Sequence, residues 1–151
     1  MKKIEFGELR ITDLAKKHIQ ECLDNNWVSI GPKVKEFEQK WTKLFDYPYT
    51  TMVSSGTSAD IAACLALYDF GAKPGDYVIC PALSFIATAN SIRAAGFIPY
   101  FVDIKKETLN IDERKLEGVL KNRFDPYLRI KRELNREGQL AGIMVVNLMG
   151  N

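Results

Sequence analysis

Histidine is almost absent from this chain of 151 residues, with His18 its one example. A Ser-His-Asp or Cys-His nucleophilic site needs an imidazole held beside the nucleophile. His18 stands instead in a lysine-flanked helical stretch, where a surface role is the natural reading. Cysteine is scarce too. Cys22, Cys64 and Cys80 are odd in number, far apart and without a C-x-x-C pair. That pattern argues against a disulfide framework or a zinc site and for a reducing compartment. No stretch approaches the roughly 18 apolar residues that span a bilayer. The opening "MKKIEFGELRITDLAKK" has no apolar run behind its basic residues, so it does not read as a secretory signal. Neither sign of charge is in excess: 21 basic and 19 acidic residues leave +2, which gives no electrostatic case for nucleic acid or an anionic membrane. We therefore expect a cytoplasmic protein without metal, nucleic acid or membrane. Two nucleotide-binding fingerprints are also missing, the G-x-G-x-x-G turn and the Gly-Lys of a P-loop.

What is present is a globular pattern, 46% hydrophobic and 26% charged, enough for one domain with a real core. The first fifty residues read as two amphipathic helices. Thr12 caps the first, and Leu14, Ile19, Cys22 and Leu23 form its stripe; Val34, Phe37, Trp41, Leu44 and Phe45 recur at helical spacing in the second. From residue 50 the pattern changes to strands at 51–54, 77–80, 98–102 and 142–148, alternating with helices near 58–70, 85–95 and 112–122. Gly71 and Gly96 fall where a helix end favours a left-handed residue, "KPGD" at 73–76 is a turn, and Asp112 is placed to cap the third of these helices. The strands are apolar rather than alternating, which predicts cover on both faces. The expected fold is α/β: a mainly parallel, doubly wound sheet with flanking helices, preceded by two N-terminal helices. The expected organisation is a helical segment over 1–49 and an α/β domain over 50–151. The highly charged stretch 121–139 reads as a solvated helix or an insertion.

Ligands of parallel sheets collect at the carboxyl ends of the strands, over helix N-termini. The turn "SSGT", 54–57, occupies such a place. Thr57 to Asp60 matches a capping box, which predicts a helix starting at Thr57 or Ser58. Gly56 admits a bulky group to the backbone. The first-turn N–H groups and the hydroxyls of Ser55 and Thr57 are then suited to a phosphate, the alternative being a tight turn that caps itself. At the next strand end, Phe85 follows Pro81. It either stacks on a flat heteroaromatic ligand in a crevice shared with Gly56 or lies in the core, and for a lone Phe the core is the ordinary expectation. Asp103 contacts a ribose or caps its turn, the second being preferred. Asn147 donates to a ligand or ties its loop.

The blocks "WVSIGPKVKEFEQKW", "VSSGTSADIAACLAL", "KPGDYVICPALSFIATANSIRAAGFIPYFVDI", "TLNIDERKLE" and "VVNLMGN" resemble, in this order, the start of DegT-type sugar aminotransferases, which are fold-type I pyridoxal-phosphate enzymes. The resemblance covers most of residues 27–151 and implies part of the large domain of an aspartate-aminotransferase-like fold. It implies that Gly56 and Thr57, with Ser55 beside them, hold the phosphate of pyridoxal phosphate, and that Phe85 stacks on its ring. It also places Ser29 and Ile30 near the substrate or a partner subunit. The implied reaction transfers an amino group from a donor such as glutamate to a keto group of a nucleotide-linked sugar, in a homodimer. In that family the Asp that pairs with the pyridine nitrogen and the Schiff-base Lys follow the segment resembling "VVNLMGN". The expectation is therefore an N-terminal fragment unable to catalyse transamination alone. The residues 121–139 are extra relative to the family pattern. The alternatives are a sugar dehydratase on the same fold and a non-catalytic phosphate- or nucleotide-binding α/β module.

Overall fold

A computed structural model of the chain describes residues 9–121 and 138–150. They fall into two compact units that divide between Met52 and Val53.

The first unit is a pair of helices, α1 (Asp13–Asp24) and α2 (Pro32–Phe45). Thr12 caps α1 as expected, its Oγ1 accepting from the Ala15 N–H at 3.1 Å. Pro32 opens α2 at a position where a missing N–H costs nothing. The ammonium of Lys33, at the start of α2, lies 2.6 Å from the Glu21 carboxylate of α1, and His18 Nδ1 stands 3.2 Å from the same oxygen. The Lys33 hydrogen bond, with His18 second, holds the Glu21 carboxyl down at about 2. Phe37, Trp41, Phe45 and Tyr47 form a ladder with ring centroids 4.5–6.1 Å apart. Neither helix buries a residue fully, because two helices offer each other too little apolar area.

The second unit runs α3 (Gly56–Ala66), a 3-10 turn (Leu67–Phe70), β1 (Tyr77–Pro81), α4 (Ile86–Ala94), β2 (Ile98–Val102), α5 (Glu113–Lys121), β3 (Leu140–Ile143) and a short 3-10 turn (Leu148–Gly150). The strands make a parallel sheet in the order β2-β1-β3, with Ile79 paired to Tyr100 on one side and Ile143 on the other. Successive side chains of β1 go to opposite faces. Val78 and Cys80 pack with Cys64, Ile92, Ala95 and Phe97 under α3 and α4. Ile79 packs with Tyr100, Val102 and Ile111, against Leu116 and Val119 of α5. Cover on both faces therefore holds for β1, whereas Phe101 of β2 and Leu140 and Ile143 of β3 remain about half exposed. Gly71 and Gly96 take the left-handed conformation, at φ +91° and +87°. Asp112 Oδ1 accepts from the N–H groups of Arg114 and Lys115, capping α5.

Two expectations fail. Residues 51–54 are exposed and form no strand, because no described strand offers their backbone a ladder partner. The strand expected over 142–148 is instead Leu140–Ile143. The Met144 N–H still reaches the Ile79 carbonyl at 2.8 Å, after which the chain leaves the sheet. Of the charged stretch 121–139, residues 122–137 lie outside the described residues. Among the described residues no helix is long and apolar enough to cross a membrane, and no cluster of His, Cys, Asp and Glu is suited to a metal ion.

Candidate functional site

The turn before α3 is built by Ser55. Its backbone is extended (φ −163°, ψ 165°), its Oγ accepts from the Ser58 N–H at 3.1 Å, and its carbonyl accepts from the Ala59 N–H at 3.0 Å. Ser55 is thus the N-cap and the helix begins at Gly56. The expected start at Thr57 or Ser58 is one to two residues late, because Ser55 reaches the free donor before Thr57 can act as a cap. Ser58 Oγ lies 3.1 and 3.0 Å from the hydroxyls of Ser54 and Ser55, a small network the sequence pattern did not single out. The N–H groups of Gly56 and Thr57 and the Thr57 hydroxyl have no protein partner among the described residues. A Cβ added at Gly56 would meet nothing within 4 Å, and residues 54–57 are all exposed. Two donors stand at the positive end of an 11-residue helix, in open space, a geometry of the kind that suits an anion.

Phe85 sits at the N-cap position of α4 with extended backbone (φ −66°, ψ 145°), and the residue is 79% exposed. The core placement ordinarily expected of a lone Phe does not occur. Thr88, Ser91 and Ile92 are the residues α4 turns inward, and Phe85 lies beyond the buried end of β1 at Pro81. Phe85 and Gly56 were expected to share a crevice because residues 51–54 would neighbour β1. The neighbours of β1 are instead β2 and β3. What joins the two turns is Ser91, fully buried, whose Oγ donates to the Thr57 carbonyl at 3.4 Å. Phe85 precedes Ser91 by six residues, roughly 9 Å of helix rise. The unclaimed donors and the exposed ring thus belong to two packed helices, an arrangement suited to a ligand with an anionic end and a flat apolar ring. Ser91 was missed in the sequence, although its three-residue spacing from Thr88 marks a small polar face.

The other strand ends are less open. Asp103 Oδ1 accepts from the Ile104 N–H at 2.9 Å, and Oδ2 pairs with Lys115, which holds the carboxyl below its usual range. It ties its turn, as preferred. The Asn147 carbonyl accepts from the Gly150 N–H at 3.2 Å while the residue itself is exposed. In the first unit, Ser29 and Ile30 are exposed, and the Ile30 carbonyl accepts from Trp27 Nε1 at 3.0 Å. Cys80 is wholly buried, and desolvation pushes its thiol up to about 11, which makes it a packing residue rather than a nucleophile.

Comparison with known proteins gives the family of the chain. The DegT/DnrJ/EryC1/StrS aminotransferase family matches residues 10–151. The chain is 36% identical over 124 residues to a GDP-perosamine synthase of Escherichia coli O157:H7, covering 82% of this chain and 33% of that protein. It is 32% identical over 133 residues to a 3-oxo-glucose-6-phosphate:glutamate aminotransferase of Bacillus subtilis, covering 88% of this chain and 29% of that protein. Among solved structures, an E. coli GDP-4-keto-6-deoxy-D-mannose-3-dehydratase with bound hydrated PLP superposes with a TM-score of 0.66 at 37% identity, over 71% of this chain and 28% of that one. The chain thus spans about a third of the length of these curated relatives. With a matching parallel α/β fold and a family match over nearly all of its length, the chain belongs to the DegT/DnrJ/EryC1/StrS aminotransferase family.

Proposed function

We propose that this chain holds the cofactor of a pyridoxal-phosphate-dependent enzyme that moves an amino group from a donor such as glutamate to a keto group of a nucleotide-linked sugar, working as a homodimer. The observation that carries the reading is the pair of N–H groups at Gly56 and Thr57, unclaimed among the described residues, on a helix packed against the one that Phe85 precedes. The donor set fits a phosphate: two backbone N–H groups, the free Thr57 hydroxyl and an open approach at Gly56. The exposed ring of Phe85 fits the face of a pyridine. When bound, pyridoxal phosphate supplies an electron sink for bond cleavage at the amino-bearing carbon. The residues of this chain anchor and orient it: Gly56 and Thr57 fix the phosphate, Ser55 keeps the helix end in place, and Phe85 sets the ring plane. Ser29 and Ile30, in the turn that Trp27 braces, contact the sugar substrate or the partner subunit. Family resemblance assigns the ring-pairing Asp and the covalent-attachment Lys to portions of the relatives outside the third that this chain matches. On this reading the chain alone retains cofactor without transaminating.

A second reading, a sugar dehydratase, is favoured by the 37%-identical dehydratase structure. A non-catalytic phosphate-binding module is the third. Titration of the chain with pyridoxal phosphate, followed by quenching of tryptophan fluorescence, tests the site. Thr57→Val is expected to weaken binding by about tenfold or more, as loss of a hydrogen bond to a charged group does. Phe85→Ala is expected to weaken it about two- to tenfold, the worth of a ring stack. Unchanged affinity in both variants refutes the assignment. For an enzyme containing this chain, a sugar product with new nitrogen derived from glutamate supports transamination, and one that has lost a hydroxyl without gaining nitrogen supports dehydration.

A further inference from the structure

The chain leaving β2 does not go directly to α5. It first makes a closed loop: Ile104 bridges Ile111 in antiparallel fashion, the Asp112 N–H donates to the Asp103 carbonyl at 2.9 Å, and the Lys105 N–H donates to the Asn110 carbonyl at 2.8 Å. At its tip Leu109 takes φ +61°, a left-handed conformation that a leucine adopts only when its surroundings impose it. Two of those surroundings are the Leu109 N–H, which donates to the Lys105 carbonyl at 2.8 Å, and the Asn110 N–H, which donates to Thr108 Oγ1 at 3.3 Å. The strained tip delivers a long-range contact. Asn110 Oδ1 accepts from the Leu148 N–H at 2.9 Å.

That bond joins parts of the chain that the sheet keeps apart. β2 and β3 lie on opposite sides of β1, two strand spacings or roughly 10 Å from each other. The loop after β2 therefore reaches past the end of the central strand to the segment that follows β3. Since Met144 is still bonded to Ile79 and the strands are parallel, that segment, Asn147 included, leaves the sheet at the same carboxyl end as Pro81, which leads on to Phe85. We infer that Asn110 is a positioning residue: the 104–111 loop is a strap, and its Asn110–Leu148 bond sets where the exit segment of β3 stands relative to the ligand site proposed at Gly56, Thr57 and Phe85. The ligand in question is pyridoxal phosphate, so this inference rests on the function proposed above.

Two readouts on the whole chain separate the strap from that function: exchange of the Leu148 amide followed by NMR, and affinity for pyridoxal phosphate. Asn110→Ala is expected to speed Leu148 exchange about five- to tenfold and to weaken cofactor affinity by a similar factor, the range of one net hydrogen bond. Asn110→Asp keeps an acceptor and is expected to restore both to within about twofold, a rescue that general loosening of the loop would not give. Leu148→Pro removes the same bond from the donor side, keeps the inference testable if Asn110→Ala fails to fold, and should match its loss of affinity. Leu148 exchange unchanged in Asn110→Ala overturns the strap, and faster exchange with unchanged cofactor affinity overturns its positioning role. A chain that binds no pyridoxal phosphate while its Leu148 amide still responds to Asn110 overturns the functional reading and upholds the strap.

Discussion

Replacing Ser55 with alanine and Thr57 with valine should separate stability from binding within three residues. Ser55 Oγ accepts from the Ser58 N–H and touches the Ser58 hydroxyl, so its loss strips α3 of its cap. A lost Ser cap costs about 1 kcal/mol, within a range of ~0.5–2. The turn is exposed, so water replaces part of the bond and the upper end is not reached. For a unit of this size, about 1 kcal/mol lowers Tm by roughly 4–8 °C. Thr57 Oγ1 has no protein partner among the described residues, so the near-isosteric valine should change stability without ligand by less than about 0.5 kcal/mol. With pyridoxal phosphate at about 100 times its Kd, the wild-type chain should gain about 2.7 kcal/mol. Thr57→Val should lose about half of that at the same ligand concentration if its affinity falls tenfold, since each tenfold is about 1.4 kcal/mol. Thermal melts by circular dichroism, with and without ligand, read both quantities. If Ser55→Ala melts like wild type, or Thr57→Val without ligand falls as far as Ser55→Ala, the division of labour between cap and anion donor is wrong.

Two further outcomes follow from packing and burial. An alanine Cβ at Gly31 would lie 1.9 Å from Trp27 Nε1, so the indole must swing away and release the Ile30 carbonyl. Gly31→Ala should cost about 1–3 kcal/mol by overpacking, seen as a lower denaturation midpoint together with a red-shifted Trp27 emission in a Trp41→Phe background. Cys80 has its thiol raised from an ordinary value of 9.0 to about 11 by burial. In that window the unfolded chain has lost the proton and the folded chain keeps it, so folding stability should fall as pH rises from about 9 to 11. The slope is up to about 1.4 kcal/mol per pH unit. Cys80→Ala should flatten this part of the pH profile, and a profile that is unchanged would contradict the assignment.

The local elements were largely legible. Thr12 and Asp112 are caps because a short oxygen-bearing side chain before an apolar-periodic run has few other uses, and Gly71 and Gly96 are left-handed because a helix end there needs a residue without a Cβ. The two small-residue and aromatic turns were legible as candidates by the same local logic. Their relation to each other was not. A strand is a property of a pair, so the apolar run 51–54 could not announce that no described strand would pair with it. Phe85 reads as core by its hydrophobicity, and only the end of β1 at Pro81 leaves it in solvent.

The sequence by itself determined the α/β class, the parallel sense of the sheet, the position of the small-residue turn and the family. Each of these rests on periodicity, punctuation or the order of short blocks, all of which are local. The tertiary structure alone decided that Ser55 caps while the Thr57 hydroxyl has no partner among the described residues, that Ser91 ties the turn to the helix of Phe85, and that Asn110 reaches Leu148 past the central strand. Those contacts close loops of 34 and 38 residues, or turn on which of two nearby hydroxyls, Ser55 or Thr57, reaches a donor first, and neither leaves a periodic trace along the chain.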